Sequence, residues 1–353
     1  MKVAVLALPF DWNYGGILQK YALQVFLKQR GHDVWSIQRI VYKPDLIKKI
    51  KIKIKKTFLS ESFKVENFVN QYVQKTEVID SPNKYKLLDK YNFDAYIVGS
   101  DQVWRFKYTE EHKKEYFLDF VSDKNAKKIA FAASFGIGYW DADESDTKEI
   151  SKLIFNFDGV SVREKSGIDL CNKYLGYNKA IFLYDPTLLH SADFYRKLYT
   201  GDEVDNSGKI GVYFLDYNEH KDRLVLEFEK QTKKRSFVIG QQKRKNYTFY
   251  PTVEQWLKDF DTADYIITDS FHGIAFSMML NTEPIVCRER YEGQRISGFL
   301  SLIGEEHRYI KSYTDTDTDI DIPNKPVNFT RVNEILAAER KRIDEFLNSI
   351  FKK

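Results

Sequence analysis

The sequence predicts the α/β class, as two doubly wound domains of alternating strands and helices. Three observations carry this. Short apolar runs of strand length recur, each followed by a polar, often Gly-bearing loop and then a stretch with helical spacing. A polar segment, TGDEVDNSGK at 200–209, interrupts the alternation, which then restarts. The 353 residues match two domains of ordinary size. The expected division is an N-terminal α/β domain over 1–199, a C-terminal α/β domain over 200–330, and a terminal helix over 331–353 that folds back onto the first.

In chain order, residues 3–8 form a buried strand, and the loop NYGG at 13–16 follows. Apolar residues at 17, 18, 21, 22, 25 and 26 mark a helix that Gly31 terminates, and 34–37 is the second strand. Residues 43–56, KPDLIKKIKIKIKK, carry seven lysines and are read as a helix continuing into 58–73. Strands at 95–98, 128–133, 159–162 and 180–183 run into GSDQVW, SFGIG, REKS and DPTLL, with a helix at 166–175. After the linker come a strand at 210–214, a helix at 219–231, a strand at 236–239 and a helix at 252–260. A strand at 265–268, a helix at 270–280 and a strand at 284–287 complete the second domain. Apolar residues at 332, 335, 336, 343, 346, 347 and 350 mark the terminal helix. Because polar residues cluster after strand after strand, the site is expected outside the carboxyl ends of the sheets.

Composition narrows the function classes. With 43% hydrophobic and 15% aromatic residues the chain can bury a core, which excludes whole-chain disorder. Lys plus Arg at 55 against Asp plus Glu at 51 leaves net +4, too little to mark a nucleic-acid binder, so no nucleic-acid partner is expected. Cys171 and Cys287 are far apart and make neither a disulfide framework nor a zinc site. His32, His112, His190, His220 and His307 show no ligand spacing and there is no HExxH, so no metal is expected. The apolar start is short for a signal peptide, and no run approaches the ~18 apolar residues of a membrane span. The expectation is a cytoplasmic protein, with residues 43–56 as a candidate for peripheral contact with an anionic surface at the inner face of the membrane.

The sharpest local signal is TDSFHG at 268–273, a strand end running into a helix start. Asp269 or Ser270 can cap that helix. Ser270, Phe271 and Gly273 surround a helix N-terminus that favours an anion, and His272 in its first turn can bind phosphate or donate a proton. Arg163 directly follows a strand, where its fork can grip a carboxylate or phosphate or pair with a nearby acid. Arg290 and Arg295, near Arg288 and Glu289 after the last strand, make an anion clamp or an ordinary charged loop. Asn13, Tyr14, Gly15 and Gly16 form either a ligand loop or a tight turn; they match neither GxGxxG nor GxxxxGK[ST]. Ser100 and Gln102 can bind sugar hydroxyls and Asp101 can act as a base, against a plain helix-capping role; Ser134 of SFGIG joins this set.

In order, the blocks NYG (13–15), GSDQVW (99–104), AASFG (132–136), SVRE (161–164), DPT (185–187), PTVEQW (251–256) and TDSFHG (268–273) resemble the polysaccharide pyruvyl transferases, over about residues 10–310. The resemblance implies two Rossmann-like domains facing a cleft, similar to GT-B glycosyltransferases. It implies phosphoenolpyruvate as donor co-substrate without a further cofactor, and a sugar or lipid-linked oligosaccharide of a cell-surface polysaccharide as acceptor. The product is then a pyruvate ketal, with phosphate released. By the same resemblance His272 and an Arg, Arg163 first and Arg295 second, serve the donor. Asp101 is the candidate base, the first domain is the acceptor side and the second the donor side. Two alternatives stand beside this: a nucleotide-sugar-dependent GT-B-type glycosyltransferase, and a non-catalytic glycan-binding protein.

Overall fold

The computed structural model describes residues 1–10, 13–40, 62–240, 242–244, 247–287, 294–310 and 325–352. The expected helix at 43–56, and Arg288, Glu289 and Arg290, lie outside the described residues. The chain divides into two compact units. One comprises Met1–Ser60, Glu66–Leu189 and Glu339–Lys353, the other Glu61–Val65 and His190–Ala338. The division falls at Leu189 rather than at 199, because the short helix Ala192–Arg196 is tied to the second unit: Arg196 Nη2 donates to Asp261 at 2.8 Å and to the Leu280 carbonyl at 3.2 Å.

The first unit is built on β1 (Lys2–Leu6), β2 (Asp33–Arg39), β3 (Lys75–Ile79), β4 (Ala95–Val98), β5 (Lys127–Ala133), β6 (Gly159–Val162) and β7 (Ile181–Phe182). They form one parallel sheet in the order β3-β2-β1-β4-β5-β6-β7. Strands β4 and β6 are buried end to end and β1 at every residue but Lys2, as a sheet covered on both faces requires. The helix Tyr14–Lys28 follows β1 and is buried along almost its whole length; Asn13 caps it by accepting from the Gly16 N–H at 3.1 Å. The run expected as a strand at 180–183 shortens to two residues at the sheet edge.

The second unit contains β8 (Ile210–Tyr213), β9 (Ser236–Val238), β12 (Tyr265–Thr268), β13 (Glu283–Cys287) and β14 (Tyr309–Ile310), parallel in the order β14-β13-β12-β8-β9. A separate antiparallel pair joins β10 (Gln242–Arg244) to β11 (Tyr247–Phe249). The core holds a ring cluster: Trp256 meets Phe276 edge-on at 5.0 Å, Tyr213 at 5.5 Å and Phe260 at 4.4 Å.

The helix Phe329–Phe351 starts in the second unit and ends in the first. Its Ile343, Leu347 and Ile350 share a core with Val3, Val5, Leu23 and Phe26, each contributing roughly 1.5–3 kcal/mol on burial. Gly159 makes room for it: a Cβ there would sit 2.3 Å from Ile350 Cδ1 and 3.1 Å from Phe346. Several other segments were not expected from sequence, among them β3, the helices Glu144–Leu153 and Gln294–Ile303, and the β10–β11 pair.

Candidate active site

Strand order places the candidate residues. In the first unit the chain moves from β1 to one side and later pairs β4 on the other, so the sheet switches direction between β1 and β4. In the second unit the switch lies between β8 and β12. Loops beyond the carboxyl ends of strands at such a switch are where α/β sheets bind ligands. Residues 13–16 follow β1 and 100–102 follow β4; residues 214–218 follow β8 and 269–273 follow β12.

In the first unit these loops meet. A Cβ on Gly16 would lie 3.5 Å from Asp101 Oδ2 and 3.4 Å from Asn13 Cγ. Asn13, Tyr14, Gly15 and Gly16 are therefore a capped first helical turn laid against the end of β4. Asp101 has φ +78°, a left-handed conformation that costs a non-glycine residue energy. Its main chain is tied to the neighbouring strand: it bridges to Ala133, and its carbonyl accepts from the Ser134 N–H at 3.0 Å. Its Oδ1 accepts from the Gln102 N–H at 2.9 Å, and the Gln102 side chain lies on Gly136.

Beneath Asp101 lies an ion triad. Arg163 is buried and donates through Nη1 to Asp185 Oδ2 at 2.6 Å; its Nη2 is 3.7 Å from Asp101 Oδ1. Asp185 also accepts from Ser100 Oγ at 3.1 Å, from the Thr187 N–H at 3.0 Å and from Thr187 Oγ1 at 2.9 Å. Burial opposes the Arg163 charge, but the nearby Asp185, Asp101 and Glu164 outweigh it, so its pKa stays above the ordinary guanidinium value. Arg163 and Ser100, expected to touch substrates, thus direct their polar groups inward onto acids. Ser134 Oγ donates to Glu164 Oε1 at 2.5 Å, and the Gly136 N–H donates to the same oxygen at 2.7 Å.

In the second unit, the fully buried helix Phe271–Leu280 begins directly after β12. Ser270 is its N-cap residue by backbone conformation, but its side chain makes no capping hydrogen bond. Asp269 does not cap it either. Its Oδ1 accepts from the Leu215 N–H at 2.7 Å, and its Oδ2 from the Asp216 N–H at 3.1 Å and from Lys221 Nζ at 2.6 Å. Asp269 therefore binds the end of β12 to the loop after β8, across the switch. The Thr268 hydroxyl fills the space over Gly273, 2.2 Å from where a Cβ would be. The close approach that Gly273 permits is thus made by the protein's own strand end. His272 sits in the first turn, 7% exposed, beside Phe271 at 5.4 Å between ring centroids. Phe271 in turn meets Phe299 at 6.0 Å, which brings the helix Gln294–Ile303, with half-buried Arg295 in its first turn, onto the His272 turn.

The structure thus gathers Asn13, Gly16, Ser100, Asp101, Gln102, Ser134 and Arg163 in one unit. It places Ser270, Phe271, His272, Gly273 and Arg295 in the other. Sequence reading missed Asp185 as the partner of Arg163 and Glu164 as the partner of Ser134, although both acids lie inside the quoted blocks. It also missed Lys221, which no local pattern marks. Among the described residues no three His, Cys, Asp or Glu side chains group to hold a metal ion. No described helix is long and apolar enough to cross a membrane.

Two parallel α/β sheets, each with its candidate loops at a switch point, define the GT-B class of transferase folds. Solved structures agree. The UDP-GlcNAc 2-epimerase of Neisseria meningitidis, bound to UDP-GlcNAc, is similar at 12% identity with a TM-score of 0.51, over 97% of this chain and 100% of that one. The UDP-GlcNAc 2-epimerase of Methanocaldococcus jannaschii is similar at 13% identity with a TM-score of 0.51, over 99% and 100%. At these identities the likeness concerns the fold. No curated protein matches the chain at the level of sequence. The sequence model of the polysaccharide pyruvyl transferases matches residues 13–290, most of the chain, and the protein belongs to that family.

Proposed function

We propose that the protein transfers the pyruvyl group of phosphoenolpyruvate to two hydroxyls of a sugar in a cell-surface polysaccharide or its precursor, forming a ketal and releasing phosphate. The observation that carries this is His272 in the first turn of a buried helix whose N-cap Ser270 makes no side-chain cap, in a chain of this family. A helix start of this kind favours an anion, and phosphoenolpyruvate carries a phosphate and a carboxylate.

The chemistry assigns the groups. A proton adds to the methylene carbon of phosphoenolpyruvate, and positive character develops on the neighbouring carbon. One sugar hydroxyl attacks that carbon; the C–O bond to phosphate breaks, and a second hydroxyl closes the ketal. Of the two hydroxyl protons, the balance leaves one on the new methyl group and one on phosphate. His272 is the acid or the phosphate partner, with Ser270, Phe271 and Gly273 forming the helix start that receives the anion. Arg295, in the helix packed on that turn, is the cation of this unit, and Arg290 is a further candidate. Asp101, held against the helix start at Gly16, is the base for the acceptor hydroxyl. Asn13, Tyr14, Gly15, Gln102 and Ser134 shape its surroundings. Arg163 is a positioning residue that holds Asp101 and Asp185, which also fixes Ser100. The acceptor is a sugar or lipid-linked oligosaccharide. Residues 43–56 are the proposed peripheral contact with an anionic membrane surface, placing the enzyme on the cytoplasmic side.

The test is phosphate release from phosphoenolpyruvate with a panel of oligosaccharides, and detection of a new ketal methyl signal by proton NMR. Acceptor-dependent release with that signal supports the reading. Glycosyl transfer from a nucleotide sugar, with phosphoenolpyruvate untouched, replaces it.

A further inference from the structure

The loop between β8 and the helix Glu219–Thr232 is tied down at several points yet turns two large side chains to solvent. Asp269 fixes its Leu215 and Asp216 N–H groups, and buried Lys221 binds both Asp269 and the Asp216 carbonyl. Asn218 caps the following helix by accepting from the Lys221 N–H at 3.0 Å. The Tyr217 hydroxyl donates to Asp222, and its ring rests against Phe214 at 5.8 Å between centroids. Even so, Leu215 is 66% exposed and Tyr217 61% exposed. A mobile exposed tyrosine is ordinary, but one anchored at its hydroxyl, on a loop held by a buried ion pair, is a preformed surface.

We propose that Tyr217, flanked by Leu215, is a stacking platform for a pyranose ring of the acceptor glycan; this rests on the functional reading above. Asp269, which holds the loop, is three residues before His272, and the loop and the helix start assigned to the donor follow the carboxyl ends of the adjacent parallel strands β8 and β12. The donor is not its occupant. Phosphoenolpyruvate is a small dianion or trianion, and the negative face of an aromatic ring repels it. A pyranose presents a face of C–H bonds that matches the ring, and its hydroxyls remain free at the edge. The sugar must also lie beside the donor carbon that its hydroxyls attack. A rigid Tyr supplies this contact area at small entropic cost, as it does in antibody paratopes.

Saturation-transfer difference NMR with methyl β-D-galactopyranoside, glucopyranoside and mannopyranoside tests the platform. At least one glycoside should receive saturation on one ring face. Its dissociation constant should rise about two- to tenfold in Tyr217→Ala, rise less in Tyr217→Phe, which keeps the ring but loses its anchor, and stay near wild type in His272→Ala. Equal transfer in Tyr217→Ala, or transfer to none of the three, overturns the proposal. The melting transition of each variant without ligand reports its folding, and its rise with phosphoenolpyruvate tests the donor separately. If Tyr217-dependent glycoside binding persists while phosphoenolpyruvate binds no form of the protein, the platform stands and the pyruvyl reading falls.

Discussion

Arg163 and Asp185 form a buried ion pair at 2.6 Å beneath the loops that carry the first unit's candidate residues, and Asp101 stands 3.7 Å from the other arm of the same guanidinium. The pair links the ends of β4, β6 and β7. Removing one partner leaves a buried charge with only part of its compensation, which costs more than the pair itself is worth.

Asp185→Ala should therefore lose roughly 3–5 kcal/mol of stability in urea unfolding. Asp185→Asn, which keeps the shape and part of the hydrogen bonding, should lose less. If the alanine variant unfolds within about 1 kcal/mol of wild type, the pair does not organise this unit.

The contact between Gly159 and Ile350 predicts a coupled pair. Gly159→Ala places a Cβ 2.3 Å from Ile350 Cδ1, an overpacking that should cost about 1–3 kcal/mol. Ile350→Val removes that methyl group, so the double variant should recover part of the loss. Additive losses in a double-mutant cycle would show that the terminal helix docks without this contact.

Asp259 gives a pH dependence. Burial raises its pKa from 3.8 to about 6, against the opposing hydrogen bonds from Gln255 and Asn206. The native state thus binds the proton more tightly than the unfolded state. The resulting stabilisation is fully present below pH 3.8 and is lost as pH rises through about 6, roughly 3 kcal/mol in all. Both donors reach Oδ1, which Asp259→Asn retains. That variant should melt higher than wild type at pH 7.5 and no higher at pH 4; equal curves at both pH values would contradict the burial argument.

Local features were legible in the sequence and pairings between distant segments were not. TDSFHG announced a strand end and a helix start because both signals lie within six consecutive residues. The apolar spacing of the terminal helix likewise identified Ile343, Leu347 and Ile350, all now buried. In contrast, the switch points depend on strand order, which no local pattern encodes. Arg163 and Asp185 are 22 residues apart, and Lys221 and Asp269 are 48 apart; only folding brings them together. That is why Arg163 read equally as a ligand for an anion and as the partner of an unnamed acid, which the structure identifies as Asp185. The strand β3 was missed because KTEVI buries only Thr76 and Ile79 at a sheet edge, leaving little apolar signal.

The central claim is that the helix start at His272 binds phosphoenolpyruvate, and the most direct measurement is the melting temperature of the purified protein against that ligand and against nucleotide sugars. A ligand that binds only the native state adds about 2.7 kcal/mol at a hundred times its dissociation constant. The account predicts a concentration-dependent rise with phosphoenolpyruvate that His272→Ala abolishes, and no rise with nucleotide sugars. A rise with a nucleotide sugar alone, or one with phosphoenolpyruvate that survives in His272→Ala, would contradict it.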